Sequence, residues 1–291
     1  MTKILGLSGR KQAGKNSCGN FLFGLKMFLL MNDEGVSLID WFRIDKKGQL
    51  IIPVDFGEKG VLPGIFNPVS REPAPQMFMA EHVWPTVKIY SFADALKETC
   101  ISLFGLTEQQ CYGTDDDKNS PTNLLWENMP GVITEADPKG EPTKVDGRLG
   151  FYYNKFKEFV YHAPGVMTAR EVLQFFGSDI IRKMYSDAWI NATIQRITAE
   201  APELAIITDV RFPNEVMGIQ NEGGKVIRLT RAPFKEDTHS SETALDSFGG
   251  FDAIIDNELL DIEQQNKLVF EAANQLGFID VQPEALPGEK S

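Results

Sequence analysis

This sequence predicts an α/β fold, a parallel sheet with helices on both faces. Three observations carry that reading. Short apolar runs alternate with stretches of helical periodicity along most of the chain. The first apolar run ends in a glycine-containing loop that opens directly into a helical pattern. Charged residues, Asp209 and Arg231 among them, stand at the ends of later apolar runs. Strands that alternate with helices lie parallel in one sheet, and ligands of such sheets sit outside the carboxyl ends of the strands.

The first element is the run Ile4 to Leu7, followed by Ser8-Gly9, four residues, and Gly14-Lys15-Asn16-Ser17. Cys18, Phe21, Leu22, Leu25, Phe28 and Leu29 then recur at helical spacing, to an end near Met31 or Asn32. Strand, glycine loop and helix form the context that a phosphate-binding loop requires. Its glycines turn backbone N–H groups toward an anion, and the helix N-terminus adds its positive end. Lys15 would reach the outer phosphates of a nucleoside triphosphate. The usual loop has Ser or Thr directly after Lys as a Mg²⁺ ligand. Here Asn16 holds that place and the hydroxyl comes one residue later, at Ser17. Asn16 is thus expected to hold a metal-bound water and Ser17 to contact an inner phosphate. A glycine turn without a ligand would show the same residues, but the loop stands where phosphate binding needs it.

Residues 33–85 break the alternation and read as an insertion, with a hairpin expected around Lys46-Lys47-Gly48. Val87 to Tyr90 is the second core strand, and Ser91 with Asp94 resembles a helix start. Lys97 lies off the apolar stripe of that helix, as a solvated lysine or as a pocket residue. Residues 105–167 read as irregular, and the Asp115-Asp116-Asp117-Lys118 run as a solvated loop, because it lacks the alternating ligand spacing of a calcium loop.

Thr168 to Glu171 is a capping box. The helix it opens is expected to bury Val172, Phe175, Phe176, Ile180 and Met184, with Arg170, Gln174 and Gly177 opposite. Ser186-Asp187 starts the next helix, whose Trp189, Thr193 and Arg196 are expected to share a polar face. That places Trp189 as packing for the insertion or as a platform for a base. Leu204 to Thr208 is a core strand with Asp209 at its end, and Pro213 begins the next helix. Lys225 to Thr230 and Phe251 to Asp256 are the last two strands. The final helix carries Leu259, Ile262, Val269, Ala273 and Leu276, with Gly277 as its stop. Pro283 to Ser291 reads as a loose tail.

The 291 residues carry a net charge of −12, which disfavours polymeric nucleic acid as a partner and leaves a small anionic substrate open. No apolar run is long enough to cross a membrane. A strand that starts at the third residue argues against a secretory signal, and three cysteines without metal spacing suggest reduced thiols. A cytoplasmic protein is expected on both grounds.

With these residues in hand, the chain resembles the phage deoxynucleoside monophosphate kinases, within the P-loop nucleoside monophosphate kinase group. The resemblance rests on S-G-x-x-x-x-G-K-x-[ST] at Ser8 to Ser17, on Ser91 to Leu96 with Lys97, on Arg170 with Gly177-Ser178-Asp179, and on Trp189. Its most specific part is Asp209-x-Arg211-x-x-x-Glu215, with Thr238-His239 and Glu242 further on.

It implies one P-loop kinase domain over 1–291, a three-layer α/β/α sandwich with a five-stranded parallel sheet in the order 2-3-1-4-5. Residues 33–85 would be an insertion, 105–187 an irregular, acceptor-binding region, and 231–247 a lid-like segment. The implied activity is ATP-dependent transfer of a γ-phosphoryl group to the 5′-phosphate of a deoxynucleoside monophosphate, with Mg²⁺. Gly9, Lys11, Ala13, Gly14, Lys15, Asn16, Ser17 and Arg231 would bind ATP. Lys97, Arg170, Trp189, Asp209, Arg211 and Glu215 would bind the acceptor. Lys15, Arg170, Arg211 and Asp209 would carry the chemistry, and Asn16 and Asp209 would hold the metal through water.

A phage source would make the compartment the host cytoplasm. A homodimer through the insertions is a candidate assembly. Two other readings stand beside this one: a kinase of another small acceptor, such as a nucleoside or phosphomevalonate, and a nucleotide-binding module without turnover.

Overall fold

The computed structural model describes residues 2–31, 42–55, 57, 60–133, 160–233 and 243–279. The chain falls into two compact units, Met1–Ala95 with Asp187–Ser291 and Leu96–Ser186.

The first unit is organised on five parallel strands: β1 (Lys3–Ser8), β5 (Val87–Tyr90), β10 (Leu204–Val210), β11 (Lys225–Leu229) and β12 (Ala253–Ile255). Their order across the sheet is β5-β10-β1-β11-β12, which in chain order of the core strands is the expected 2-3-1-4-5. β1 is central and apolar from Ile4 to Leu7, with Leu5 and Leu7 completely buried. A strand covered on both faces has no polar alternation. β1 pairs with β10 from Lys3↔Leu204 and with β11 from Leu5↔Lys225. The β1–β10 register is interrupted: Gly6 faces Ile207, but Ser8 faces Val210. β10 therefore carries one extra residue at Thr208-Asp209, and such a bulge re-aims side chains beside a site. β10 also runs on to Val210, so Asp209 lies inside the strand rather than just past it.

Helix α1 (Lys15–Met31) packs Leu22, Phe23, Leu25 and Phe28 into the same core as Leu5, Ile206, Ile227, Val269 and Phe270. The helices α8 (Pro213–Asn221) and α9 (Ile262–Gln275) come after β10 and β12. Pro213 is the first residue of α8, as expected. α9 is opened by a capping box between Asp261 and Gln264. Leu259, expected on that helix, precedes it and is 95% exposed.

Helix α7 (Ala188–Glu200) departs from its expected faces. Trp189 and Thr193 are buried together with Ile190 and Ile197, so the helix is enclosed around more of its circumference than a two-faced pattern implies. The sequence hairpin exists as β2 (Arg43–Ile44) and β3 (Leu50–Asp55), paired Ile44↔Leu50. A third antiparallel strand, β4 (Val61–Phe66), extends it, and α2 (Pro73–His82) comes next. Phe42 and Leu50 belong to the main core.

The second unit includes α3 from Leu96 onward, where α3 is the helix Phe92–Phe104, then α4 (Glu108–Tyr112), α5 (Asp115–Lys118) and β6 (Pro121–Leu125). Short strands β7 (Val132–Ile133), β8 (Val160–Tyr161) and β9 (Val166–Thr168) precede α6 (Ala169–Gln174). The run read as a solvated loop is thus a helical turn, closed by reciprocal bonds between Thr114 and Asp117. The Thr168–Glu171 capping box is present at the start of α6.

From Phe175 to Arg182 the backbone widens into a π-helix. Its i→i+5 bonding shifts the phase of every later side chain. Met184 is consequently 67% exposed, and Gly177 packs against Leu96 instead of facing away.

Residues 234–242, including Thr238, His239 and Glu242 of the lid-like segment, lie outside the described residues, as do residues 32–41, 134–159 and the tail 280–291. Among the described residues no helix is long and apolar enough to cross a membrane.

Candidate active site

The loop from Gly9 to Gly14 leaves the carboxyl end of β1 and enters α1. Gln12 and Gly14 both adopt positive φ, 58° and 100°. Gly14 is required for a further reason: a Cβ there would lie 2.5 Å from Gln265 Oε1. Ala13 is completely buried beneath the loop, and Lys11 and Asn16 are exposed.

Lys15 is only 7% exposed. Its ammonium donates to the carbonyls of its own loop, Gly9 O at 2.6 Å and Arg10 O at 2.8 Å. Burial pushes its pKa from 10.5 down to about 7, Arg211 and Arg228 push the same way, and Asp209 opposes them. Positive charge is thus concentrated at this edge of the sheet: Lys15 and Arg211, with Arg228 and Arg10. Arg228 donates to the buried Ser8 hydroxyl at 3.0 Å and pairs with Asp246 at 3.4 Å. Arg10 pairs with the same carboxylate. Arg10, Arg228 and Asp246 carry no special signal in the sequence; they are brought together only by the sheet order, across 236 positions of chain in the case of Arg10 and Asp246.

Asp209 is aimed by the bulge in β10 onto the start of α3. Its Oδ2 accepts from the Ser91 hydroxyl at 2.6 Å and Ala93 N at 3.1 Å, and its Oδ1 from Phe92 N at 2.8 Å. A carboxylate from β10 thus shares the capping of the helix with its own start residue, Ser91, whose hydroxyl also accepts from Ala93 N at 3.1 Å.

Glu215 is 1% exposed, and its Oε2 accepts from Arg211 N at 2.6 Å and Phe212 N at 3.1 Å. It was expected to line an acceptor pocket. In the structure it is a buried brace on the backbone of Arg211 and Phe212. Arg231 donates from its backbone N to Asn257 Oδ1 at 2.8 Å and from Nε to Asn257 O at 3.0 Å, and its Nη2 is held by Leu260 O. Trp189 is 8% exposed on α7.

Ser17 is covered by the β2–β3 turn. A Cβ on Gly48 would lie 2.0 Å from Ser17 Oγ, and Asn20 Nδ2 donates to Gly48 O at 2.8 Å. The β2–β3 turn therefore rests on the first turns of α1, which its glycine alone permits. The sequence pointed to this turn but not to what it touches.

Two predicted residues belong to the second unit. Arg170 donates to Asn119 Oδ1 at 2.9 Å and Asp115 Oδ1 at 2.7 Å, which ties α6 to α5. Lys97 Nζ lies 4.3 Å above the Tyr112 ring, a cation–π contact. Burial and then Lys97 hold the Lys118 ammonium below its usual range.

Among the described residues no three His, Cys, Asp or Glu side chains cluster as a metal cage. Mg²⁺ commonly takes few protein ligands and keeps water and substrate phosphates. An exposed amide at Asn16 and a carboxylate at Asp209 already engaged by three donors fit such a site through water.

A family model described as deoxynucleotide monophosphate kinase matches residues 91–267, which is more than half of the chain. The chain belongs to the deoxynucleotide monophosphate kinase family. The matched stretch contains Lys97, Arg170, Trp189, Asp209, Arg211, Glu215 and Arg231, and the Gly9–Gly14 loop precedes it. A protein of Acanthamoeba polyphaga mimivirus named "Putative deoxynucleotide monophosphate kinase" is 26% identical over 181 residues, covering 57% of this chain and 73% of its own. The chain is accordingly a kinase of deoxynucleotide metabolism, a phosphotransferase whose substrates are small nucleotides.

Proposed function

We propose that this deoxynucleotide monophosphate kinase uses ATP with Mg²⁺ and transfers the γ-phosphoryl group to the 5′-phosphate of a dNMP. The observation that carries the reading is Lys15: a buried ammonium, held by its own loop carbonyls and flanked by Arg211 and Arg228. Like charges assembled in a shielded place are costly until an anion compensates them. The donor polyphosphate is that anion.

The acceptor oxygen belongs to a phosphate already largely ionised at neutral pH, so no general base is needed. The work is positioning and charge neutralisation. Asp209, with three hydrogen bonds already accepted, is poorly placed to act as a base toward a hydroxyl. This weighs against a nucleoside as acceptor.

In this proposal Gly9, Ala13 and Gly14 offer backbone N–H groups, Lys15 binds the outer phosphates, and Lys11, Ser17 and Arg231 complete the donor side. Arg211 neutralises the charge that develops during transfer, and Glu215 holds it in place. Arg170, Lys97 and Trp189 are assigned to the dNMP: the two cations to its phosphate and Trp189 to its base. Bound Mg²⁺ would supply further positive charge at the outer phosphates, with Asn16 and Asp209 holding it through water.

A coupled ADP-release assay with ATP–Mg²⁺ and a panel of dNMPs, NMPs and nucleosides tests the reading. Release that depends on a dNMP is expected. Release with nucleosides alone would shift the acceptor to a hydroxyl, and no acceptor-dependent release would leave a nucleotide-binding module. Lys15→Ala should lower turnover by orders of magnitude in a folded protein, and an unchanged rate would sink the mechanism.

A further inference from the structure

We infer that Asn257 and Gln265 are positioning residues for the phosphate loop, forming a buried polar chain that holds it from behind. Neither carries a motif, and both lie on the β12–α9 side, far along the chain from the loop. Asn257 is completely buried and Gln265 is 1% exposed. Asn257 Nδ2 donates to Ala13 O at 2.7 Å and to Gln265 Oε1 at 2.6 Å. Gln265 Nε2 donates onward to Cys18 Sγ at 3.0 Å, one turn into α1. The Gln265 amide also occupies the space into which any side chain at position 14 would project. Two amides therefore fix both sides of the loop: the carbonyl of Ala13 before Gly14-Lys15 and the thiol of Cys18 after them.

The other end of the chain reaches Arg231. Asn257 Oδ1 accepts from Arg231 N at 2.8 Å, and Asn257 O accepts from Arg231 Nε at 3.0 Å. Both Nδ2 hydrogens and the side-chain oxygen of Asn257 are thus used. No water and no side chain besides Gln265 is needed to satisfy it, and no other side chain of its size offers two donors and one acceptor there. A buried amide with every bond made holds a single geometry, because each alternative leaves a polar group unpaired. The loop is consequently set in its phosphate-binding shape before a nucleotide arrives, and its position is linked to that of Arg231.

This inference rests on the reading of Gly9–Ser17 as the donor site, and the test separates the two. Asn257→Asp keeps the shape and replaces two donors by an acceptor facing Ala13 O and Gln265 Oε1. It should raise the KM for ATP about tenfold or more, since about 1.4 kcal/mol of lost binding is tenfold, with the KM for the dNMP changed less than twofold. Gln265→Met, of similar volume, should give a smaller rise in the same constant and serves if the aspartate variant does not fold.

Gln220→Ala is the control. It removes an amide link of the same kind, to Gly250 O at 2.8 Å and Asp252 Oδ2 at 2.9 Å, and should lower thermal stability without moving the KM for ATP. Equal rises in both KM values, or none in either variant, would overturn the positioning role. A wild-type protein that shows no thermal shift with ATP–Mg²⁺ would overturn the donor-site reading itself.

Discussion

Replacing Lys15 by methionine should stabilise the protein while it abolishes turnover, and the structure gives the size of the gain. The ammonium is 7% exposed and its pKa is pushed from 10.5 to about 7. At about 1.4 kcal/mol for each pH unit, keeping it charged in the fold costs about 5 kcal/mol. Its bonds to Gly9 O and Arg10 O return about 1.5 kcal/mol each. The net gain from methionine, which fills similar volume without a charge, is about 2 kcal/mol, or about 4 °C in melting temperature for a chain of this size.

The sign with pH is fixed. A lysine whose pKa is lowered by folding binds fewer protons folded than unfolded between about 7 and 10.5. Its cost is complete below pH 7 and fades as pH rises through that window. Melting curves of both proteins without nucleotide at pH 6.5 and pH 9 should therefore show the methionine variant more stable at the lower pH and nearly equal at the higher. A variant less stable at pH 6.5, or an advantage that does not shrink by pH 9, would refute the picture of a strained, shielded cation.

The same lysine predicts that ATP–Mg²⁺ binding takes up about nine-tenths of a proton at pH 8 and little at pH 6, because polyphosphate restores the charge on a group whose pKa is about 7. Calorimetry in two buffers of different ionisation enthalpy reads this directly, and equal heats at pH 8 would contradict it. Asp209→Ala removes three accepted bonds at the start of α3 and should cost about 3 kcal/mol in denaturant unfolding; a change below about 0.5 kcal/mol would mean the cap is idle. Gly48→Ala forces a Cβ toward Ser17 Oγ at 2.0 Å from a residue at φ 78°. It should destabilise by about 2 kcal/mol and raise the KM for ATP, and a neutral result would separate the β2–β3 turn from the loop.

The sheet was legible because its strands declare themselves twice, by their apolar runs and by the residues that close them. Ile4 and Gly6 on one face of β1 and Leu5 and Leu7 on the other are all apolar, and a glycine loop or an Asp stands at the strand end, so the strands and their positions emerged together. The order 2-3-1-4-5 came from resemblance, since no local pattern says which strand lies beside β1. Helix faces failed where local geometry changed.

Met184 was misplaced because a periodicity of 3.6 does not survive the π-helix at Phe175–Arg182, and nothing in FFGSDIIR announces the widening. Trp189 and Leu259 were misjudged for a different reason: burial is a property of what packs on a residue, not of its own spacing. In the candidate site, the residues that stand in motifs could be named from the sequence, and those bonded to them could not. Asn257, Gln265 and Asp246 are common polar residues without a repeating context. Glu215 was noticed without its backbone partners, because a carboxylate four residues after Arg211 reads the same whether it faces a ligand or its own backbone.

The contact between Gly48 and Ser17 bears on how much of this enzyme could be pared away. The hairpin that carries Gly48 also sends Phe42 and Leu50 into the main core, where Gly24 of α1 is left bare to receive them. A minimal kinase made by joining the ends of the 33–85 segment would leave the space over Gly24 of α1 unfilled and take Gly48 away from Ser17 and Asn20. What looks in the linear chain like an accessory is a foundation stone. A shorter relative without it would need bulkier residues on α1 to close the gap.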